Sequence, residues 1–245
     1  MILSPDIRRW FAIAAGAALW AAGAATPASA APAASNTAMQ LGERAAAPRG
    51  YLDFCRRQPA DCGPDAAAVL SQVDQAQVEG LALTAVASAA AASISPAAAA
   101  PARPAGDAAK VARMGPTLWA RLNRVNEVVN KSLSAQSDAQ TYGVADYWAT
   151  PLEEGSHLGD CEDYVLEKQR ALLASGIPRE ALSIAVVQTS LGDTHAVLLV
   201  KTQDEELVLD NLSPAIAPWW ATPYRWTMRQ RPGRPFEWVR ISSQP

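Results

Sequence analysis

Three cysteines and two histidines are spread over 245 residues, so nucleophilic chemistry has few places to reside. Cys55 and Cys62 lie seven apart, close enough to close a small disulfide loop in an oxidising compartment. The neighbouring Arg56, Arg57, Pro59 and Asp61 argue against two free buried thiols. Cys161 is then left unpaired, and a lone thiol is a candidate nucleophile where a base can reach it. Asp160 has the type and place of a helix N-cap, which puts Cys161 at the first turn, where unpaired N–H groups and the helix dipole favour a thiolate. His195 follows 34 residues later and Asp210 another 15 on. In this order the imidazole would hold and return the thiol proton as general base and acid, and the carboxylate would fix its tautomer. His157, four residues before Cys161 in a glycine-flanked loop, is the alternative base. Each residue also has a plainer reading: a core cysteine, a surface histidine, an aspartate that opens a turn.

The elements that must position these residues follow from hydrophobic period. Leu118, Trp119, Leu122, Val125, Val128 and Val129 recur at three-and-four spacing and describe a helix face. A turn region runs through Tyr142-Gly143 and Asp146-Tyr147-Trp148 to Pro151. A capped helix of about 15 residues then starts at Cys161 and stops at Gly176-Ile177-Pro178. After it the period changes: 182–189, 195–202 and 206–210 are rich in β-branched residues and separated by Gly192-Asp193 and Gln203-Asp204. They read as consecutive strands of an antiparallel meander, with 224–229 and 236–241 as a further hairpin across Arg231–Pro235. Helices first and strands second make the class α+β.

Upstream the chain is different. Arg8 and Arg9, the apolar run Trp10–Ala24 and Ala28-Ser29-Ala30 form a secretory signal peptide pattern, cleaved near Ala30. The run is short against the roughly 20 apolar residues of a membrane span. Residues 31–113 read as an Ala/Pro-rich low-complexity region around the Cys55–Cys62 loop. Within it 81–92 is a possible helix and 93–109, with Pro96, Pro101 and Pro104, a linker. The globular domain is placed at 114–245. A net charge of −3 and 18% charged residues supply no basic field for a nucleic-acid backbone.

The run Asp146-Tyr-Trp-Ala-Thr-Pro-Leu-Glu-Glu154, then Gly159-Asp-Cys-Glu-Asp-Tyr164, His195-Ala-Val-Leu198 and Val208-Leu-Asp-Asn-Leu212 resembles the bacterial transglutaminase-like cysteine proteinases. Phe54-Cys-Arg-Arg57, Val125–Asn130 and Tyr224-Arg-Trp226 resemble the same family. The resemblance implies a papain-like, transglutaminase-type core of helices on an antiparallel sheet, with Cys161, His195 and Asp210 as the triad. It implies a periplasmic protease whose protein substrate is a large surface adhesin, cleaved so as to release a biofilm. It also implies control by an inner-membrane cyclic di-GMP receptor.

Calcium, held by acids that match Asp160, Glu162 and Asp163, is implied as well. That idea has an independent motive: three carboxylates around a thiol raise its pKa, and a divalent cation reverses the sign. Carboxylate and amide oxygens suit calcium, and Asn126 could add one; nitrogen and sulfur ligands for zinc are scarce. Trp148 and Glu154, in the proline-containing loop before the nucleophile, are candidates to shape a substrate groove or oxyanion site, with a core role equally open for Trp148. The rival readings are acyl transfer as a transglutaminase or deamidase, which shares the thioester intermediate, and a non-catalytic binding module on the same scaffold.

Overall fold

The computed structural model describes residues 38–75 and 112–244. The expected signal peptide, the possible helix 81–92 and the linker 93–109 lie outside the described residues. Among those described, no helix is long and apolar enough to cross a membrane.

A seven-stranded antiparallel sheet organises the chain. The meander is β4 (Leu182–Gln188), β5 (Thr194–Lys201) and β6 (Glu206–Leu209), extended by the short β7 (Ala217–Pro218). The hairpin β8 (Arg225–Arg231) and β9 (Arg234–Ile241) turns at Gly233, whose φ of 72° is a left-handed conformation that suits glycine. β8 pairs with β4, so the spatial order is β1-β9-β8-β4-β5-β6-β7.

The central strands are apolar on both faces. Ile184, Leu198, Val200, Leu207 and Leu209 face the helical layer, whereas Ala185, Val187, Val197, Leu199 and Val208 join Trp219 and Trp226 in a second cluster. The alternation is the period of a strand, and burial of both sets accounts for the unbroken run Ala196–Val200. Each fully buried aliphatic side chain there is worth about 1.5–3 kcal/mol.

On the first face pack α4 (Pro116–Ser132) and α7 (Cys161–Ala174), which supply Leu118, Leu122, Val165, Leu166 and Leu172. α7 starts on the N-cap Asp160, and the Asp163 carboxylate accepts the Asp160 N–H at 3.3 Å, half of a capping box. Eight consecutive residues of α7, Glu162–Gln169, are buried. A helix buried all round is ordinarily apolar, yet five of these eight carry charge or an amide. Such burial is expensive, which marks the helix as the place where polar groups are used.

The sequence pattern gave no sign of β1 (Leu41–Ala45), the edge strand on β9. Its side chains are exposed or half-exposed, so backbone pairing holds it and no hydropathic alternation is required. α1 (Arg49–Arg57), α2 (Pro59–Cys62) and α3 (described over 66–75) follow, and Tyr51, Phe54, Ala66 and Leu70 enter the same core as Leu172 and Leu198. Residues ahead of 114 therefore contribute to the globular core. Cys55 and Cys62 form a disulfide. Both are also buried, despite their charged neighbours: Arg56 turns out to Asp53 and Asp74, and Arg57 to the Trp148 carbonyl.

Candidate active site

The pairing Leu198↔Leu209 of β5 and β6 runs Asp210 back toward the start of β5, where His195 stands. His195 Nε2 and Asp210 Oδ1 are 2.8 Å apart, and both residues are buried. That pairing leaves Nδ1 as the ring nitrogen for the reaction. Asp210 is held from several sides: Oδ1 accepts the Leu212 N–H at 3.0 Å, Oδ2 accepts the Tyr224 hydroxyl, and Asn130 Nδ2 donates to its main-chain carbonyl at 2.8 Å. The Tyr224 ring lies 5.6 Å from the imidazole. With His195 and Tyr224 as donors, the Asp210 carboxyl is kept below its ordinary range in spite of burial.

Cys161 packs against this strand from α7. The Ala196 backbone N–H, one residue beyond His195, is directed at the sulfur and favours the thiolate. Burial and the Glu162 carboxylate act the other way and prevail, so the thiol is pushed well up. The helix start alone had suggested a thiolate; desolvation and an adjacent anion outweigh about half a unit of dipole charge. The thiol donates to Glu162 Oε2 at 3.1 Å. Among the described hydrogen bonds of Cys161, none reaches the imidazole.

Glu162 belongs to an acid cluster. Oxygens of Asp138, Asp160 and Asp163 lie within 4.8 Å of one another, as do those of Asp138, Asp146 and Glu162. Asp160 and Glu162 make a further group with the sulfur. Burial raises Asp163 to about 8 and Asp138 to about 6, helped by mutual repulsion, and pushes Glu162 up in the same way. Asp138 Oδ1 and Asp160 Oδ1 are buried without a hydrogen-bond partner. Orphaned hard oxygens among crowded carboxylates fit a calcium-sized cation.

Asp138 was absent from the sequence reading. It sits on the one-turn helix α5 (Asp138–Thr141), beside the parallel bridge of β2 (Ser134–Ala135) and β3 (Leu158–Gly159) that draws this segment to α7. Asp146 holds the Gly50 N–H at 2.9 Å and Trp148 Nε1 at 2.8 Å. Trp148 is a core residue against Tyr51, and Glu154, at the end of α6 (Pro151–Glu154), is exposed. Asn126 is buried and donates to the Pro214 carbonyl at 3.3 Å. His157 is exposed, its Nδ1 2.9 Å from the Ser132 carbonyl.

The model of the family described as bacterial transglutaminase-like cysteine proteinase matches residues 99–245. The chain belongs to that family. Its name fits a single free cysteine on a helix start beside a strand His–Asp pair, the arrangement described above. Among solved structures, Legionella pneumophila LapG treated with EGTA is 29% identical over 48% of this chain and 64% of that one, with a TM-score of 0.40. The calcium-bound form of that protein is 25% identical over 54% and 74%, with a TM-score of 0.43. The chain thus spans slightly under two-thirds of the first of these. No curated protein matches it.

Proposed function

We propose that this family member is an exported cysteine protease in which Cys161 is the nucleophile, His195 the general base and acid, and Asp210 the residue that orients the imidazole. The observation that carries the reading is the buried His195–Asp210 pair at 2.8 Å, on the strand whose next N–H faces the Cys161 sulfur. In the reaction the thiol proton passes to His195 Nδ1 and the sulfur attacks the scissile carbonyl. The imidazolium then protonates the leaving amine, and water, deprotonated by the same nitrogen, releases the acyl group.

Asp138, Asp160, Glu162 and Asp163 would hold a calcium ion. Bound there, the ion supplies positive charge that offsets the repulsion between these carboxylates and the thiolate. Glu162 and Asp160 set the local charge at the sulfur, Asp163 accepts the N–H of the cap residue Asp160, and the Ala149 N–H fixes Asp163 at 2.7 Å. The family resemblance supports periplasmic export behind residues 1–30, an adhesin-like surface protein as substrate, and an inner-membrane cyclic di-GMP receptor as regulator.

The test compares cells carrying the wild type with cells carrying Cys161→Ala. A new N-terminus in a surface or exported protein, present with wild type only, is the expected result; identical N-termini together with incorporation of a labelled amine into glutamine substrates would move the chain to acyl transfer. A thiol-reactive probe that labels wild type no better than His195→Ala would leave a binding module.

A further inference from the structure

Tyr224 touches both members of the buried His195–Asp210 pair with different parts of its side chain. Its hydroxyl donates to Asp210 Oδ2, and its ring centroid lies 5.6 Å from that of the imidazole, with the planes inclined by 53°. All three residues are buried. Tyr224 arrives from across the sheet. Trp226 and His195 both pair with Val187 of β4, and Tyr224, two residues ahead of Trp226, shares the buried cluster of Val187 and Trp226. From the start of β8 it therefore reaches past β4 and β5 to the residue that follows β6.

A buried tyrosine hydroxyl needs an acceptor, and a main-chain carbonyl would serve. Here the acceptor is the carboxylate beside the imidazole. Asp210 Oδ1 receives His195 at 2.8 Å and the Leu212 N–H at 3.0 Å, which leaves the Tyr224 hydroxyl as the only described donor to Oδ2. Burial pushes the carboxyl up, and the hydrogen bonds from His195 and Tyr224 help to bring it below its ordinary range. That direction matters to the imidazole. While Asp210 is ionised, His195 gives it the Nε2 proton and keeps Nδ1 open. A protonated Asp210 would donate to Nε2 instead, place the ring proton on Nδ1 and remove the base.

We propose that Tyr224 is a positioning residue for the reaction: its hydroxyl holds Asp210 Oδ2 and its ring flanks the imidazole, so that His195 keeps its proton on Nε2 and leaves Nδ1 as the open nitrogen. This rests on the triad reading above. A phenylalanine would fill nearly the same space but leave Oδ2 buried with no described donor, a costly state for a charged group.

The experiment follows the ¹⁵N resonances of His195 and the alkylation of Cys161 by iodoacetamide at one fixed pH, in the full chain as wild type and as Tyr224→Phe, with thermal midpoints recorded alongside. The wild type is expected to show a neutral ring protonated on Nε2. The Phe variant is expected to show both tautomers in exchange and to be alkylated about 10- to 100-fold more slowly, the size of a hydrogen bond to a charged group. A folded Phe variant with the wild-type ¹⁵N pattern overturns the inference whatever its midpoint, since a merely structural role lowers stability and leaves the tautomer alone. Alkylation of that variant at the wild-type rate overturns it too, as does a wild-type ring proton on Nδ1. Should Tyr224→Phe not fold, 3-fluorotyrosine in the otherwise wild-type chain decides. Among the described contacts, Tyr224 alone of the five tyrosines lies against His195. Its more acidic phenol is expected to shift the Nε2 resonance, and an unshifted resonance overturns the inference. If His195→Ala is alkylated as fast as wild type, the triad reading fails, an outcome separate from all of these.

Discussion

The two sides of Cys161 are built on opposite principles. On the sheet side, Asp210 meets a donor at each oxygen and His195 is locked against it at 2.8 Å. On the helix-start side, five carboxylates crowd together, two oxygens have no partner, and the thiol donates to Glu162. Satisfied groups hold their geometry without help, whereas a crowded set of anions stores repulsion that a bound cation can release. The difference separates what the fold has already organised from what, on the proposed reading, an ion would complete.

The sheet side offers the largest expected effect. Asp210→Asn keeps the shape but lets the amide favour the wrong tautomer of His195, and it should lower Cys161-dependent cleavage by about 10³- to 10⁴-fold. Added calcium should not restore it. Restoration by calcium would show that the two sides are not independent and would break the contrast.

Asp138→Asn tests the other side. It removes one negative charge from the cluster and should raise the calcium concentration needed for half-maximal probe labelling of Cys161 by about 10- to 100-fold. Labelling at saturating calcium should return to near the wild-type level. A titration that coincides with wild type would remove Asp138 from the ion site.

The same contrast explains what could be seen in the sequence. The three residues of the proposed triad were legible because each sits at an element boundary with its own signature: the Asp160 cap before α7, and β-branched runs that begin at His195 and end at Asp210. Asp160, Glu162 and Asp163 were legible by adjacency to Cys161. Asp138 was not, because Ser134↔Leu158 and Ala135↔Gly159 bring it in through a two-residue parallel bridge with no periodicity to betray it. The burial of α7 was hidden for another reason. Charged residues within a helix ordinarily face water, and the sequence Glu162–Arg170 does not show that this helix is buried on every side. β1 escaped because an edge strand held by main-chain bonds carries no apolar alternation.

From the helix that carries Cys55, a hydrogen bond runs to the acid side. Arg57, beside Cys55, donates to the Trp148 carbonyl at 2.6 Å, and that loop gives the Tyr147 N–H to Asp138 and the Ala149 N–H to Asp163. Replacing Cys55 and Cys62 by serine should cost about 2.5 kcal/mol of stability from loop entropy. It should also weaken calcium dependence while leaving the His195–Asp210 geometry intact. Equal damage to the ¹⁵N resonances of His195 would mean that the disulfide braces the whole molecule rather than one half of the site.

His157 provides the smallest expected change and the sharpest control. It lies four residues before the nucleophile, nearer in sequence than His195, and so competes for the role of base on spacing alone. In the fold its ring is exposed and its Nδ1 faces the Ser132 carbonyl, which commits that nitrogen to the end of α4. A base turned to a main-chain carbonyl cannot also take the thiol proton through the same atom, and its exposure leaves no burial or carboxylate to hold the ring toward the sulfur. His157→Ala should therefore leave probe labelling within about twofold of wild type and change stability by no more than about 0.5 kcal/mol. A loss comparable to that of His195→Ala would transfer the base to the helix-start side, and the division of labour across Cys161 would have to be redrawn.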